Sequence, residues 1–145
     1  MRAWRLFLEV HARVVNRLEL ELREETGMPL TWYDVLVQLS EAPEHKLRMQ
    51  ELARRVLISK SGLTRLVDRL CAAGYVERES DPEDGRGTLA VMTRAGVKAL
   101  HEAAPFHLAG IDRAFASRLT AKDADAVAVA MQRILDGLDL DEGLS

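Results

Sequence analysis

The sequence predicts a mainly α-helical chain with one small β-hairpin. Three observations carry that expectation. Apolar residues recur at helical spacing along most of the 145 residues. Hydroxyl residues stand at helix starts and glycines just past helix ends. One stretch, Tyr75 to Thr93, instead alternates in strand fashion around a tip rich in Gly, Pro and Asp.

Taken in order, Trp4, Phe7, Leu8, Val14, Val15, Leu18 and Leu22 form the stripe of a long first helix ending near Gly27, with Pro29 closing it. "TWYD", Thr31 to Asp34, has the form of a capping box, a hydroxyl with an acid three residues later. The helix it opens carries Val35, Leu36 and Leu39 and stops before Pro43. A polar loop leads to "KLRM", a brief strand, and then "QELARRV" makes two helical turns with Leu52, Ala53 and Val56 inward.

"ISKSGLTRLVDRL", residues 58–70, follows after a turn of about three residues, "LIS". Ser59 is a good N-cap, Ile58 can staple onto Leu63, and Gly74 suits a left-handed C-terminal position. Leu63, Leu66, Val67 and Leu70 make its inward stripe, with Cys71 beside them. The two helices form a helix-turn-helix. "YVERES" and "GTLAVMT" then flank the tip "DPEDGRG" as a hairpin. Thr93 caps a long helix to about Arg118, with Pro105 as an internal kink. "TAKD", Thr120 to Asp123, caps a last helix striped by Val127, Met131, Ile134, Leu135 and Leu138. A hairpin directly after a helix-turn-helix is a wing. The organisation expected is thus a winged helix-turn-helix over 30–96, with N- and C-terminal helices, 1–29 and 97–145, forming a helical dimerisation region.

Composition narrows the class. Hydrophobic residues make up 48% and charged ones 30%, the balance of a globular domain. No apolar run reaches the ~18 residues of a membrane span, and the first twenty residues mix charge with apolarity, unlike a signal peptide. One cysteine excludes an intrachain disulfide framework and fits a reducing compartment, so a cytoplasmic location is expected. Catalysis is not expected. His11, His45, His101 and His107 are scattered, and neither a Gly-rich phosphate loop nor a nucleophile elbow is present. His101, Glu102 and His107 share a helix at a spacing that does not converge on a metal, so no metal or other cofactor is expected, and satisfied surface or interface histidines are the plainer reading. Cys71 is read as a buried structural thiol.

Charge distribution points to a partner. The formal net charge is −3, but Lys46, Arg48, Arg54, Arg55, Lys60, Arg65 and Arg69 face only Glu51 and Asp68 between residues 46 and 71. That stretch is net +5 and the rest of the chain −8. A basic patch on an acidic body is the footprint of a nucleic-acid binder. A helix about 10–12 Å wide fits the major groove of double-stranded DNA. Ser59, Ser61, Gly62 and Thr64 would let its leading end approach closely. Arg65 can present its fork to guanine, while Lys60 and Arg69 neutralise phosphates. Arg86, between Gly85 and Gly87, can enter the adjacent minor groove, where negative potential is concentrated. Asp81, Glu83 and Asp84 would oppose this unless they cap turns or pair with Arg, and Asp84 at least is expected to do so. Whether Asp68 faces DNA or braces Arg65 and Arg69 is open. The competing reading keeps the winged helix but gives the basic face to a protein partner.

The run from Glu51 to Gly96, "ELARRVLISKSGLTRLVDRLCAAGYVERESDPEDGRGTLAVMTRAG", resembles the core of the MarR family, the multiple antibiotic resistance type regulators. Leu52-Ala53, Thr64 to Leu70, Gly74, Arg78, Asp81-Pro82, Asp84 with Arg86, and Thr93 with Gly96 carry the likeness. It implies a homodimeric transcriptional regulator, most often a repressor, whose terminal helices interlock and whose two lobes read a pseudo-palindrome. By the family pattern Arg86 is the minor-groove residue, and residues 59–65 with Arg69 face the major groove. Relatives often start the first helix of the motif with a Ser or Thr cap. Here Met49 cannot cap, and Gln50 is expected to contact the DNA backbone instead. Many relatives bind small aromatic anions between the dimer helices and the lobe, which makes His11, Arg13, Trp32 and Tyr33 the candidates for an effector crevice. Some relatives sense oxidants through a cysteine near the N-terminal helix, and this chain has none there. Trp4, Phe7, Phe106, Ile111, Phe115, Ile134 and Leu138, on helices too long for so small a lobe to cover, point to a shared interface independently.

Overall fold

A computed structural model describes the backbone of residues 1–143 and the side chains of residues 1–139. The last two residues of the expected dimerisation region, 144 and 145, lie outside the described residues. The elements are α1 (Arg2–Thr26), α2 (Leu30–Glu41), β1 (Lys46–Arg48), α3 (Met49–Val56), α4 (Lys60–Ala72), β2 (Val76–Ser80), β3 (Thr88–Met92), α5 (Arg94–Ala114) and α6 (Ala121–Gly143). Short 3₁₀ turns precede β1 and α6. The sheet is antiparallel in the order β1-β3-β2. The brief strand therefore joins the hairpin, with Lys46 opposite Val91 and Arg48 opposite Leu89. Arg78 on β2 faces Ala90 across the other ladder.

Local chemistry accounts for most boundaries. Gly27 ends α1 at φ 73. Gly74, at φ 80, lets Tyr75 N–H reach back to Leu70 and Gly74 N–H to Cys71, which satisfies the last carbonyls of α4. Thr93 Oγ1 accepts from Gly96 N–H and starts α5. Thr120 and Asp123 cap α6 reciprocally at 3.1 and 3.2 Å.

Two boundaries differ from expectation. Thr31 does not cap α2. The helix opens two residues earlier at Leu30, after Pro29, and no local side chain caps it. Instead Glu19, on α1, accepts the Leu30 N–H at 2.5 Å, so the long first helix caps the second. The α5 helix ends at Ala114 rather than near Arg118, the chain turning through a 3₁₀ segment at Ala116–Arg118. Pro105 lies within the helix.

The core lies inside the lobe. Leu22, Val35, Leu36, Leu39, Leu52, Leu63, Val67, Leu70 and Val76 are fully buried. Each helix around it contributes one stripe, and α2 runs through the middle. Two glycines set the packing of α5. A Cβ on Gly96 would stand 2.3 Å from the Tyr75 carbonyl oxygen, and one on Gly110 would stand 2.9 Å from Leu18. The first twelve residues of α1, Arg2–Arg13, and nearly all described residues of α6 stay exposed. Trp4, Phe7, Phe106, Phe115, Ile134 and Leu138 are among the exposed large apolar side chains, whereas Ile111 is half-buried on its own core.

Candidate nucleic-acid interface

Helix α4 presents the face that its sequence marks. Its leading turn is fixed by Ser59, whose Oγ accepts from Gly62 N–H at 3.1 Å. A side chain at Gly62 would press a Cβ to 3.1 Å from that oxygen. Ser61 lies beside the cap, its Oγ 3.3 Å from that of Ser59. Thr64 donates its hydroxyl proton to the Lys60 carbonyl at 2.9 Å, leaving lone pairs toward solvent. Lys60, Thr64, Arg65 and Arg69 are exposed, while Leu63, Leu66, Val67 and Leu70 pin the opposite face into the core. Leu57, at φ 58, makes the turn between α3 and α4.

Ion pairing sorts the basic stretch into two groups. Lys46 pairs with Glu79 at 3.1 Å, Arg55 with Glu51 at 2.8 Å, and Arg54 also with Glu51. Arg48 reaches Asp81 at 2.6 Å and Glu83 at 2.8 Å. Lys60, Arg65, Arg69 and Arg86 form no ion pair among the described residues. The raw count of seven cations thus overstates the free charge, and the free charge lies on the outer face of α4 and at the wing tip.

Asp68 braces neither Arg65 nor Arg69. It pairs with Arg78 of β2 at 2.8 Å, and Arg78 also donates to the Thr64 carbonyl at 3.2 Å. Arg78 therefore ties the base of the wing to the middle of α4. Its guanidinium also lies 3.8 Å from Cys71 Sγ, and Cys71 is half-buried rather than buried.

Of the three wing acids Asp81 alone turns inward, while Glu83 and Asp84 stay exposed. Asp81 is 4% exposed and accepts from Glu83 N–H at 3.0 Å as well as from Arg48. The Glu83 amide, then the Arg48 guanidinium, hold its carboxyl below the usual carboxylate range. Asp84 accepts from Arg86 N–H at 3.1 Å, the turn-capping role expected of it. Between wing, α4 and the start of α3 runs a polar cleft of about 370 Å³ lined by Gln50, Thr64, Arg78 and Arg86 among others. Gln50 is exposed at the first turn of α3, and as expected no side chain caps that helix.

The four effector candidates are not gathered within one chain. His11 stacks on Phe7 along exposed α1, and Arg13 pairs with Glu9 on the same helix. Trp32 meets Tyr75 edge-on and lines a small cleft of about 120 Å³ with Met28 and Ala103, to which the other three do not contribute. Tyr33 is buried against His107, their ring centres 4.4 Å apart. His107 is not the satisfied histidine expected. Its Nδ1 is buried without a hydrogen-bond partner, and burial holds the imidazole below its usual range. Among the described residues no group of three or more His, Cys, Asp or Glu could hold a metal ion, and no helix is long and apolar enough to cross a membrane.

Sequence reasoning missed the positions of Arg48, Arg78 and Asp81. The residue types were visible, but their pairing follows from the β1-β3-β2 order, which places Arg48 and Glu79 on either side of Leu89.

Known proteins share this fold. Residues 26–87 match the sequence profile of the MarR family. The structure superposes on Sco3205, a MarR family transcriptional regulator from Streptomyces coelicolor solved in complex with DNA. The two share 35% identity and a TM-score of 0.88, over 94% of this chain and 85% of that one. YkoM of Bacillus subtilis, an HTH-type transcriptional regulator, is 29% identical over 92% of this chain and 84% of its own length. YetL of the same organism, an HTH-type transcriptional repressor, is 33% identical over 54% of this chain and 47% of its own length. With its fold, wing and helix order thus matched, the chain belongs to the MarR family of winged-helix transcriptional regulators.

Proposed function

We propose that this protein binds a pseudo-palindromic DNA site as a homodimer and represses the gene beside it. The carrying observation is the segregation of unpaired cations, with Lys60, Arg65 and Arg69 on α4 and Arg86 on the wing, while their basic neighbours are held by carboxylates. Residues 30–96 form the reading lobe, and 1–29 with 97–145 the dimerisation region. Ser59, Ser61, Gly62 and Thr64 bring the leading turn of α4 against the major groove, Arg65 reads a base edge, and Lys60, Arg69 and Gln50 hold phosphates. Arg86 enters the minor groove. Two such helices about 34–36 Å apart would match successive major grooves. The DNA-bound state of Sco3205 and the repressor name of YetL support this reading.

The mechanism involves no chemistry on a substrate. Bound protein excludes polymerase, and a small aromatic or anionic ligand that prefers another lobe spacing would release it, because only differential affinity moves the equilibrium. His11, Arg13, Trp32 and Tyr33 remain the candidates for contacting that ligand, across the dimer rather than within a chain.

Binding to a fragment of the protein's own upstream region, titrated with salt, tests the reading. Log affinity should fall with log salt by about 0.9 per phosphate neutralised, giving a steep slope. Affinity that barely responds to salt, or no binding by a folded dimer, would favour the alternative of a protein-interaction module.

A further inference from the structure

Asp81 is the only charged residue buried among the described residues. An uncompensated buried carboxylate is costly, so the groups around it are held where they can donate to it. Two do so, the Arg48 Nε at 2.6 Å and the Glu83 amide at 3.0 Å. The wing tip folds over this carboxylate. Asp81 N–H donates to the Gly87 carbonyl at 3.0 Å, and Gly87 N–H to that of Asp84 at 2.8 Å. Gly87 suits the closure, since a Cβ there would lie tightly, 3.1 Å from Asp81 Cβ. Arg86 leaves this bonded loop with its guanidinium unpaired.

Arg48 is the other half of the arrangement. It is the N-cap residue of α3, and its fork grips Asp81 through Nε and Glu83 through Nη2. A lysine could not hold both carboxylates with this geometry. Swinging Arg48 toward a phosphate would strip Asp81 of its counter-charge, so it is poorly placed to serve as a DNA contact. The wing is therefore joined to the helix-turn-helix at two points, by Arg48 to α3 and by Arg78 to α4.

We propose that Arg48 and Asp81 are positioning residues for the wing: neither touches DNA, and together they fix where Arg86 stands relative to α4. The inference rests on the DNA-binding reading above.

Two measurements on the full-length dimer test it. The first needs no DNA. Hydrogen exchange at the amides of Glu83, Arg86 and Gly87 should quicken at least tenfold in Arg48→Met, with core amides of α2 and α4 unchanged. Unchanged wing exchange would overturn the proposal. The second is a binding cycle on the upstream fragment. Arg48→Met should weaken binding about tenfold in the wild-type background and less than twofold when Arg86 is already alanine. Losing a positive charge weakens binding equally in both backgrounds, so an equal loss would overturn the proposal by making Arg48 a direct or merely structural contributor. Asp81→Asn should repeat the pattern where it folds, while Arg48→Met leaves the loop's own bonds in place. If Arg86→Ala binds like the wild type, the reading of the wing as a DNA contact fails, and the exchange result still decides the clamp.

Discussion

Arg65 and Arg86 are both unpaired guanidinium groups, yet they should fail differently when removed. Arg65 sits mid-face on the capped end of α4, where a bidentate pair with a base is within a helix's reach. Arg65→Ala should cost about 1–3 kcal/mol on the best site and flatten the differences among sites. Arg86 stands on a loop between two glycines, and in the proposed complex it would read groove shape and charge. Arg86→Ala should weaken all sites by a similar factor, measured by competition among operator variants. The same outcome for both substitutions would remove the distinction between reader and anchor. Individual roles of this kind were legible where the partner lies nearby in sequence, as for Ser59 with Gly62 or Asp84 with Arg86. They were not legible for Asp68, whose partner Arg78 stands ten residues away on another element, nor for Arg48, thirty-three residues from Asp81.

At the scale of elements, helices α4, α5 and α6 were predictable because each carries its own cap three residues from the start. Helix α2 was also legible from its apolar stripe, but its start was not, because Glu19 of α1 supplies its cap from eleven residues away. That bond also couples the long first helix to the lobe. A second coupling joins α5 to α2, where His107 packs on Tyr33 with no charged group acting on it. Burial favours the neutral imidazole in the folded state. Below the ordinary histidine pKa of about 6.5 the unfolded chain therefore binds a proton that the folded chain refuses. The stability from this group is full above that pH and is lost as pH falls through the lowered folded value. Thermal unfolding should thus drop between pH 7.5 and 5.5, and His107→Leu should reduce the drop, since the other three histidines are exposed. An identical drop in the variant would show that the acid sensitivity lies elsewhere.

The whole molecule is unfinished as a single chain. Trp4, Phe7, Ile134, Leu135 and Leu138 lie exposed on helices that project from the lobe, with Leu135 54% exposed. A second copy is the natural cover for such stripes. Ile134→Asp with Leu138→Asp should yield a folded monomer by sedimentation and lose most DNA affinity, because a single lobe binds half a site. Dimers at unchanged affinity would place the interface elsewhere. The terminal stripes were legible as periodicity, but their exposure needed the packed lobe to show that nothing among the described residues covers them. Total charge was similarly ambiguous until pairing separated free cations from occupied ones. The most direct test of the account follows from that separation. Lys60, Arg65, Arg69 and Arg86 would be changed together to alanine and compared with a charge-matched control in which the paired Arg13, Arg17, Arg54 and Arg55 are changed. The first variant should lose specific binding and most of the salt slope, while the second stays within about twofold of the wild type. Equal losses in the two variants would mean that net charge alone drives binding, and that the face of α4 and the wing is not the interface.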